Sequence, residues 1–208
     1  GRALARWVTD PLGADFFIGL PRALHDRVAD TLGPGAEVLP PGFIEHFPAM
    51  NGDPEHDRMQ RATYFNPPGL SGMGCINSAG WREGEVPSAN AQGTARGVAQ
   101  IYQALLDGPR SPAGIGDSLR AEASRIHSDG DDRILHRPSR FGLGFQLTQP
   151  TRPLGPNEGA FGHYGYGGAL GFADPVASVA FGYLMNLPGA RWQNPRSEGL
   201  IDAVYASL

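Results

Sequence analysis

His163 lies in the run Phe-Gly-His-Tyr-Gly-Tyr-Gly-Gly, with Gly162, Gly165, Gly167 and Gly168 around a single ionisable side chain. An imidazole is well suited to carrying a proton near neutral pH. Glycines within a strand pattern mark a place where a ligand, or another stretch of backbone, comes close. The local sequence leaves both readings open: a histidine at a binding edge, or a strand-edge histidine beside bulges.

Other chemistry-bearing residues give weaker patterns. The six histidines are His25, His46, His56, His127, His136 and His163. None is spaced H-x-H or H-x-x-x-H, which disfavours a metal site, and none is expected. The segments "GLSGM" at 69–73 and "INSAG" at 76–80 each miss one glycine of the G-x-S-x-G elbow and read as turns. "SDGDD" at 128–132 lacks the spacing of a calcium loop and reads as a solvated turn. "GYGGALG" is followed by no G-K-[ST], so it is not a phosphate loop, and no cofactor is called for. The only cysteine, Cys75, forbids an internal disulfide and, without a basic neighbour, reads as a small buried thiol.

Composition narrows the chemistry further. All 17 basic residues are arginine, so no lysine base or Schiff base can come from these 208 residues. A net charge of -4 argues against a phosphate-backbone binder, so no nucleic acid partner is expected. No apolar run approaches the roughly 18 to 20 residues of a membrane span. With 30 glycines and 19 prolines but 40% hydrophobic residues, the chain reads as loop-rich and globular.

The elements that must position these residues follow from periodicity. Leu4, Trp7 and Val8 open a helical pattern that Asp10-Pro11 is expected to stop, and the uncapped start looks like a piece of something longer. Residues 20–70 read mostly as loop, of the kind that forms a lid or pocket wall, with short helices at 23–32 and 59–65. Residues 71–93 read as loop. Thr94 caps a helix with Val98, Ile101, Tyr102 and Leu105 on one side, ended by Gly108-Pro109, and another short helix is expected near 118–126. From Phe141 the pattern changes. "RFGLGFQLT" alternates as a strand, "AFGHYGYGGALGFADP" gives two strands around a Gly-Gly step, and "SVAFGYLMN" gives another. Asn194 and Pro195 then open a helix striped by Leu200, Ile201, Val204, Tyr205 and Leu208. The expectation is an α+β arrangement: a helical, loop-rich region at 1–140, then at 141–208 an antiparallel meander with a helix laid on one face.

Read in order, "DPLGADFFIGLP", "NPPG", "INSAGWREGEVPSANAQGTARGVAQIYQALLDG", "RFGLGFQL", "FGHYGYGGALGFADP" and "AFGYLMN" resemble the C-terminal part of the serine β-lactamase-like hydrolases, in particular their carboxylesterase branch. The resemblance implies the β-lactamase/transpeptidase-like fold, of which this chain carries part of the helical region, antiparallel sheet strands and the C-terminal helix. It implies cleavage of a small ester or amide through an acyl-serine. The family's S-x-x-K and Y-x-N motifs belong upstream, and the absence of lysine means that S-x-x-K is not here. Tyr64-Phe65-Asn66 and Ser88-Ala89-Asn90 copy Y-x-N and S-x-N by letters only; the latter falls in a loop that could line the cleft. The third family motif, K-T-G or H-x-G, falls on His163-Tyr164-Gly165. By that resemblance His163 is catalytic, the backbone N–H of Tyr166 belongs to the oxyanion hole, and Tyr164, Gly165 and Gly167 bind substrate.

The resemblance also implies partners: a missing N-terminal segment of the same protein and, through an uncovered sheet edge, homo-oligomers. No leader is visible, which slightly favours the cytoplasm. The alternatives are a non-catalytic ligand-binding module of the same fold, or a penicillin-interacting D-Ala peptidase-like protein.

Overall fold

A computed structural model describes residues 1–33, 53–189 and 193–208. His46 and the part of the expected lid-like loop at 34–52 lie outside the described residues. Along the chain run α1 (Arg2–Leu4), a π-helical turn at Ala5–Thr9, α2 (Asp10–Leu12), β1 (Phe16–Phe17), a 3-10 segment at Arg22–Arg27, α3 (Pro54–Phe65), α4 (Ala79–Glu83), β2 (Gln92–Gly93), α5 (Ala95–Asp107) and α6 (Asp117–Ala123). There follow β3 (Ser128–Asp132), β4 (Arg137–Phe141), β5 (Gln146–Leu147), β6 (Phe161–Tyr164), β7 (Leu170–Asp174), β8 (Val179–Tyr183) and α7 (Pro195–Ala206). Strands β3 to β8 form one sheet in sequence order. The architecture is α+β, as expected, with β4 to β8 paired antiparallel.

The chain forms two compact units: residues 1–17, 93–130 and 138–208, and residues 18–92 with 131–137. This division differs from a cut at 140/141, because α5 packs on the sheet. Directly opposed residues share a face of a sheet. His163 is opposite Gly171, which is opposite Gly182; Phe161 is opposite Ala173. A Cβ on Gly171 would collide with Tyr102 and Val98, and one on Gly182 with the Ala95 carbonyl, so α5 lies directly on this glycine row. Leu105, Leu147, Phe161 and Ala173 make the core there. The opposite face carries Tyr164, Leu170 and Phe172, packed with Leu154 and with Ile201 and Tyr205 of α7. The sheet is therefore covered on both faces, not one.

Several expectations are corrected. "RFGLGFQLT" is not one strand but a corner: Phe141 pairs with Gln146 across a turn closed by the Gly142 N–H to Phe145 carbonyl bond at 2.8 Å, and Gly144 takes φ +82°. Alternating glycines mimicked the strand period. "SDGDD" is strand β3 and not a turn. The turn comes after it, where Asp132 accepts from the N–H groups of Ile134 and Leu135. Asp10-Pro11 does not stop the first helix: Pro11 is tolerated in a first turn, and the chain ends its helix at Gly13, φ +59°. The 23–32 helix is a 3-10 segment at Arg22–Arg27, and α3 starts earlier than 59, capped by Asp53. Residues 71–93 include α4, which Ser78 caps.

Candidate functional site

The H-Y-G run is the end of β6. His163 is exposed and faces the same side as Phe161, beyond the area that α5 covers. Its ring lies against Phe141, with centroids 5.9 Å apart and planes at 50°. That spacing is ordinary for paired rings.

Tyr164 is placed differently. Its side chain turns to the other face and is 2% exposed. Its hydroxyl donates to the Pro153 carbonyl at 3.1 Å and accepts from Gln193 Nε2 at 3.3 Å. Burial pushes its phenol well above the ordinary tyrosine range, with Glu198 adding to this and the Gln193 hydrogen bond opposing it. This is a core residue; a substrate-binding part for its side chain has no geometric support. Its backbone N–H donates to Gln146 Oε1 at 3.3 Å.

After Tyr164 the chain makes a compact bend. Gly165 N–H donates to the Ala169 carbonyl at 2.7 Å, and a single 3-10 turn spans Tyr166–Gly168. The Gly167 carbonyl accepts from Gly189 N–H at 2.8 Å and from Asn194 Nδ2 at 3.0 Å. Asn194 is also the N-cap of α7, where its Oδ1 accepts from Arg196 N–H. One buried amide thus fixes both the bend and the helix start. Gly167 and Gly168 take φ of +74° and +100°, and side chains there would collide with Pro188 and Asn194. These two glycines make room for protein, not for a ligand. Tyr166, which opens the turn, is 54% exposed.

Elsewhere in the same unit, a cavity of about 800 Å³ is lined by Leu147, Pro150, Pro153, Glu158, Ile201 and Tyr205 among others, and none of His163, Tyr164, Gly165, Tyr166 and Gly167 lines it.

The letter-only matches take structural places in the other unit. Asn90 is 1% exposed; its Nδ2 donates to the carbonyls of Trp81 and Gly84, and its Oδ1 accepts from Val86 N–H. It ties a loop to α4, with both its amide nitrogen and its amide oxygen bonded within the protein. Tyr64 sits on α3, where burial and then Asp132 push its phenol up, against the opposing pull of Arg137. That is the wrong direction for a general base. Burial likewise pushes the Cys75 thiol up, which suits a quiet thiol. Sequence reasoning missed Phe141, Gln146 and the second bond of Asn194. Gln146, polar between Phe145 and Leu147, was the one legible signal.

Three comparisons bear on what this arrangement belongs to. The family model described as Beta-lactamase matches residues 1–205. The "Esterase/beta-lactamase LipL" of Mycobacterium tuberculosis (strain ATCC 25618 / H37Rv) is 32% identical over 104 residues, half of this chain and 24% of that protein. Among solved structures, a family VIII carboxylesterase is 34% identical with a TM-score of 0.81, and a novel penicillin-binding protein homolog from Caulobacter crescentus is 35% identical with a TM-score of 0.79. Each aligns with all of this chain and 52% of its own. The chain thus spans about half the length of these solved relatives, and its match covers about a quarter of the curated one.

Proposed function

The chain belongs to the beta-lactamase family, and from that premise we propose that it is the C-terminal part of a serine hydrolase that cleaves small esters through an acyl-serine whose nucleophile lies upstream. The observation that carries this reading is His163, exposed at the end of β6 directly before the tightly held bend at Tyr166. A lysine-free sequence that aligns with half of its solved relatives fits a nucleophile and its lysine partner carried elsewhere.

In this reading the upstream serine oxygen attacks the ester carbonyl, and the carbonyl oxygen gains negative charge. The Tyr166 backbone N–H donates to that oxygen together with the serine's own N–H; one such donor lowers the barrier by roughly 2.7–4 kcal/mol. His163 holds or passes the proton that the leaving alcohol takes up. Water then releases the acid and restores the serine. A histidine in place of a lysine removes a fixed cation from the strand, which favours neutral esters over carboxylate-bearing β-lactams. Gly165 and Gly167 act through the backbone bend they allow.

The test is hydrolysis of a short p-nitrophenyl ester by the 208-residue chain and by the chain extended through its upstream sequence. Turnover only by the extended protein supports the proposal. Turnover by the chain alone contradicts it, and an extended protein that is acylated by a β-lactam but leaves the ester intact favours the peptidase-like alternative, a reading prompted by the penicillin-binding protein homolog.

A further inference from the structure

The corner between β4 and β5 supplies two side chains to the H-Y-G run, and we infer that Phe141 and Gln146 are positioning residues that together hold His163 in its working orientation. The inference rests on the proposed catalytic part of His163.

On the β7 side the residue directly opposite His163 is Gly171, which has no side chain. Support comes from the other direction. The Phe141 ring sits 5.9 Å from the imidazole, and Gln146, the residue paired with Phe141, extends its amide oxygen to the N–H of Tyr164, the next residue along. Strand β5 is only two residues long, with Gln146 opposite Gly162 and Leu147 opposite Phe161. The position opposite Tyr164 falls at Gly144, in the turn before β5 begins, so the Gln146 side chain takes over that rung of the ladder. One member of the pair thus holds the ring and the other the backbone.

The corner itself is held from several sides. The Phe141 carbonyl accepts from His127 N–H at 2.9 Å, and Leu143 N–H donates to the Ala123 carbonyl at 2.9 Å. A side chain on Gly142 would collide with the Ala123 carbonyl, so the turn lies tight against the end of α6. Gln146 is 5% exposed, which fixes its amide. Reactive side chains hold their geometry when the residues behind them are locked in this way.

The experiment combines imidazole proton resonances of His163, followed by NMR in the 208-residue chain, with ester turnover by the extended protein for Phe141→Leu, Phe141→Tyr, Gln146→Leu and His163→Ala. Phe141→Leu is expected to move the His163 ring-proton resonances and to lower kcat roughly tenfold with KM little changed. Phe141→Tyr, which keeps the ring, is expected to keep both near the parent values. Gln146→Leu is expected to lower kcat with the Phe141 ring still in place, and it stands in if Phe141→Leu fails to fold. His163 resonances that ignore Phe141→Leu overturn the placement. Full turnover in both leucine variants, with turnover lost in His163→Ala, overturns the positioning role and leaves the hydrolase reading standing. Full turnover in His163→Ala sinks that reading and this inference with it.

Discussion

His163 is exposed, so replacing it tests its proposed part in the reaction without opening a core. His163→Ala in the extended protein is expected to cost roughly 10²–10⁴-fold in kcat for a p-nitrophenyl ester while lowering the unfolding midpoint of the chain only slightly. A variant with normal turnover would remove His163 from the mechanism. Asp174 is the opposite kind of residue. It is fully buried at the end of β7, and its carboxylate accepts from Tyr205 Oη at 2.5 Å, Asn157 Nδ2 at 2.8 Å and the N–H groups of Val176 and Ala177. Burial alone would raise its pKa, but these bonds outweigh it and hold the carboxyl below the usual aspartate range. The stability this gives is fully present above the unfolded value of about 3.9 and is lost as pH falls through the lower folded value. Urea midpoints measured from neutral pH downward should therefore fall more steeply for the parent than for Asp174→Asn, which should start lower. Parallel curves would show that the carboxylate adds nothing.

At the scale of elements, the decisive feature is the glycine row under α5. A methyl on Gly182 meets the backbone of α5, which cannot step aside as a side chain could, so Gly182→Ala should cost about 1–3 kcal/mol by chemical denaturation. Thr94→Ala removes the hydroxyl that accepts from Gly97 N–H at 3.0 Å at the start of the same helix and should cost about 1 kcal/mol. Equal stability in the glycine variant would mean that α5 does not sit on the row. The same features mark what could be read beforehand. α5 and α7 were legible because a capping residue, a helical stripe and a breaker or terminus agree. Strands β6, β7 and β8 were legible because short apolar runs are bounded by glycine, asparagine or proline. The corner at 142–145 was not, since its glycines stand where a strand would show its outward residues. Nor could sequence show that Gly171 and Gly182 admit a helix and not a ligand, because only register brings them into one row with His163. Its place in the motif gives Tyr164 to substrate, yet alternation sends it to the opposite face from His163.

At the scale of the molecule, the proposed hydrolase builds one active site from separate stretches: an exposed strand end and a fixed bend here, and an attacking hydroxyl upstream. The six segments, read in order, point to the family, and the family match over residues 1–205 agrees on that point. The sequence holds no lysine anywhere, so no choice of serine within it can complete S-x-x-K. Among the described residues no helix is long and apolar enough to cross a membrane.

The most direct measurement is labelling by a fluorophosphonate probe, with the modified residue located by peptide mass. The extended protein is expected to be labelled on a serine upstream of Gly1, and the 208-residue chain, folded and at the same concentration, to take up no label. Label on a serine within the 208 residues, or an extended protein that stays unlabelled, would contradict the proposal.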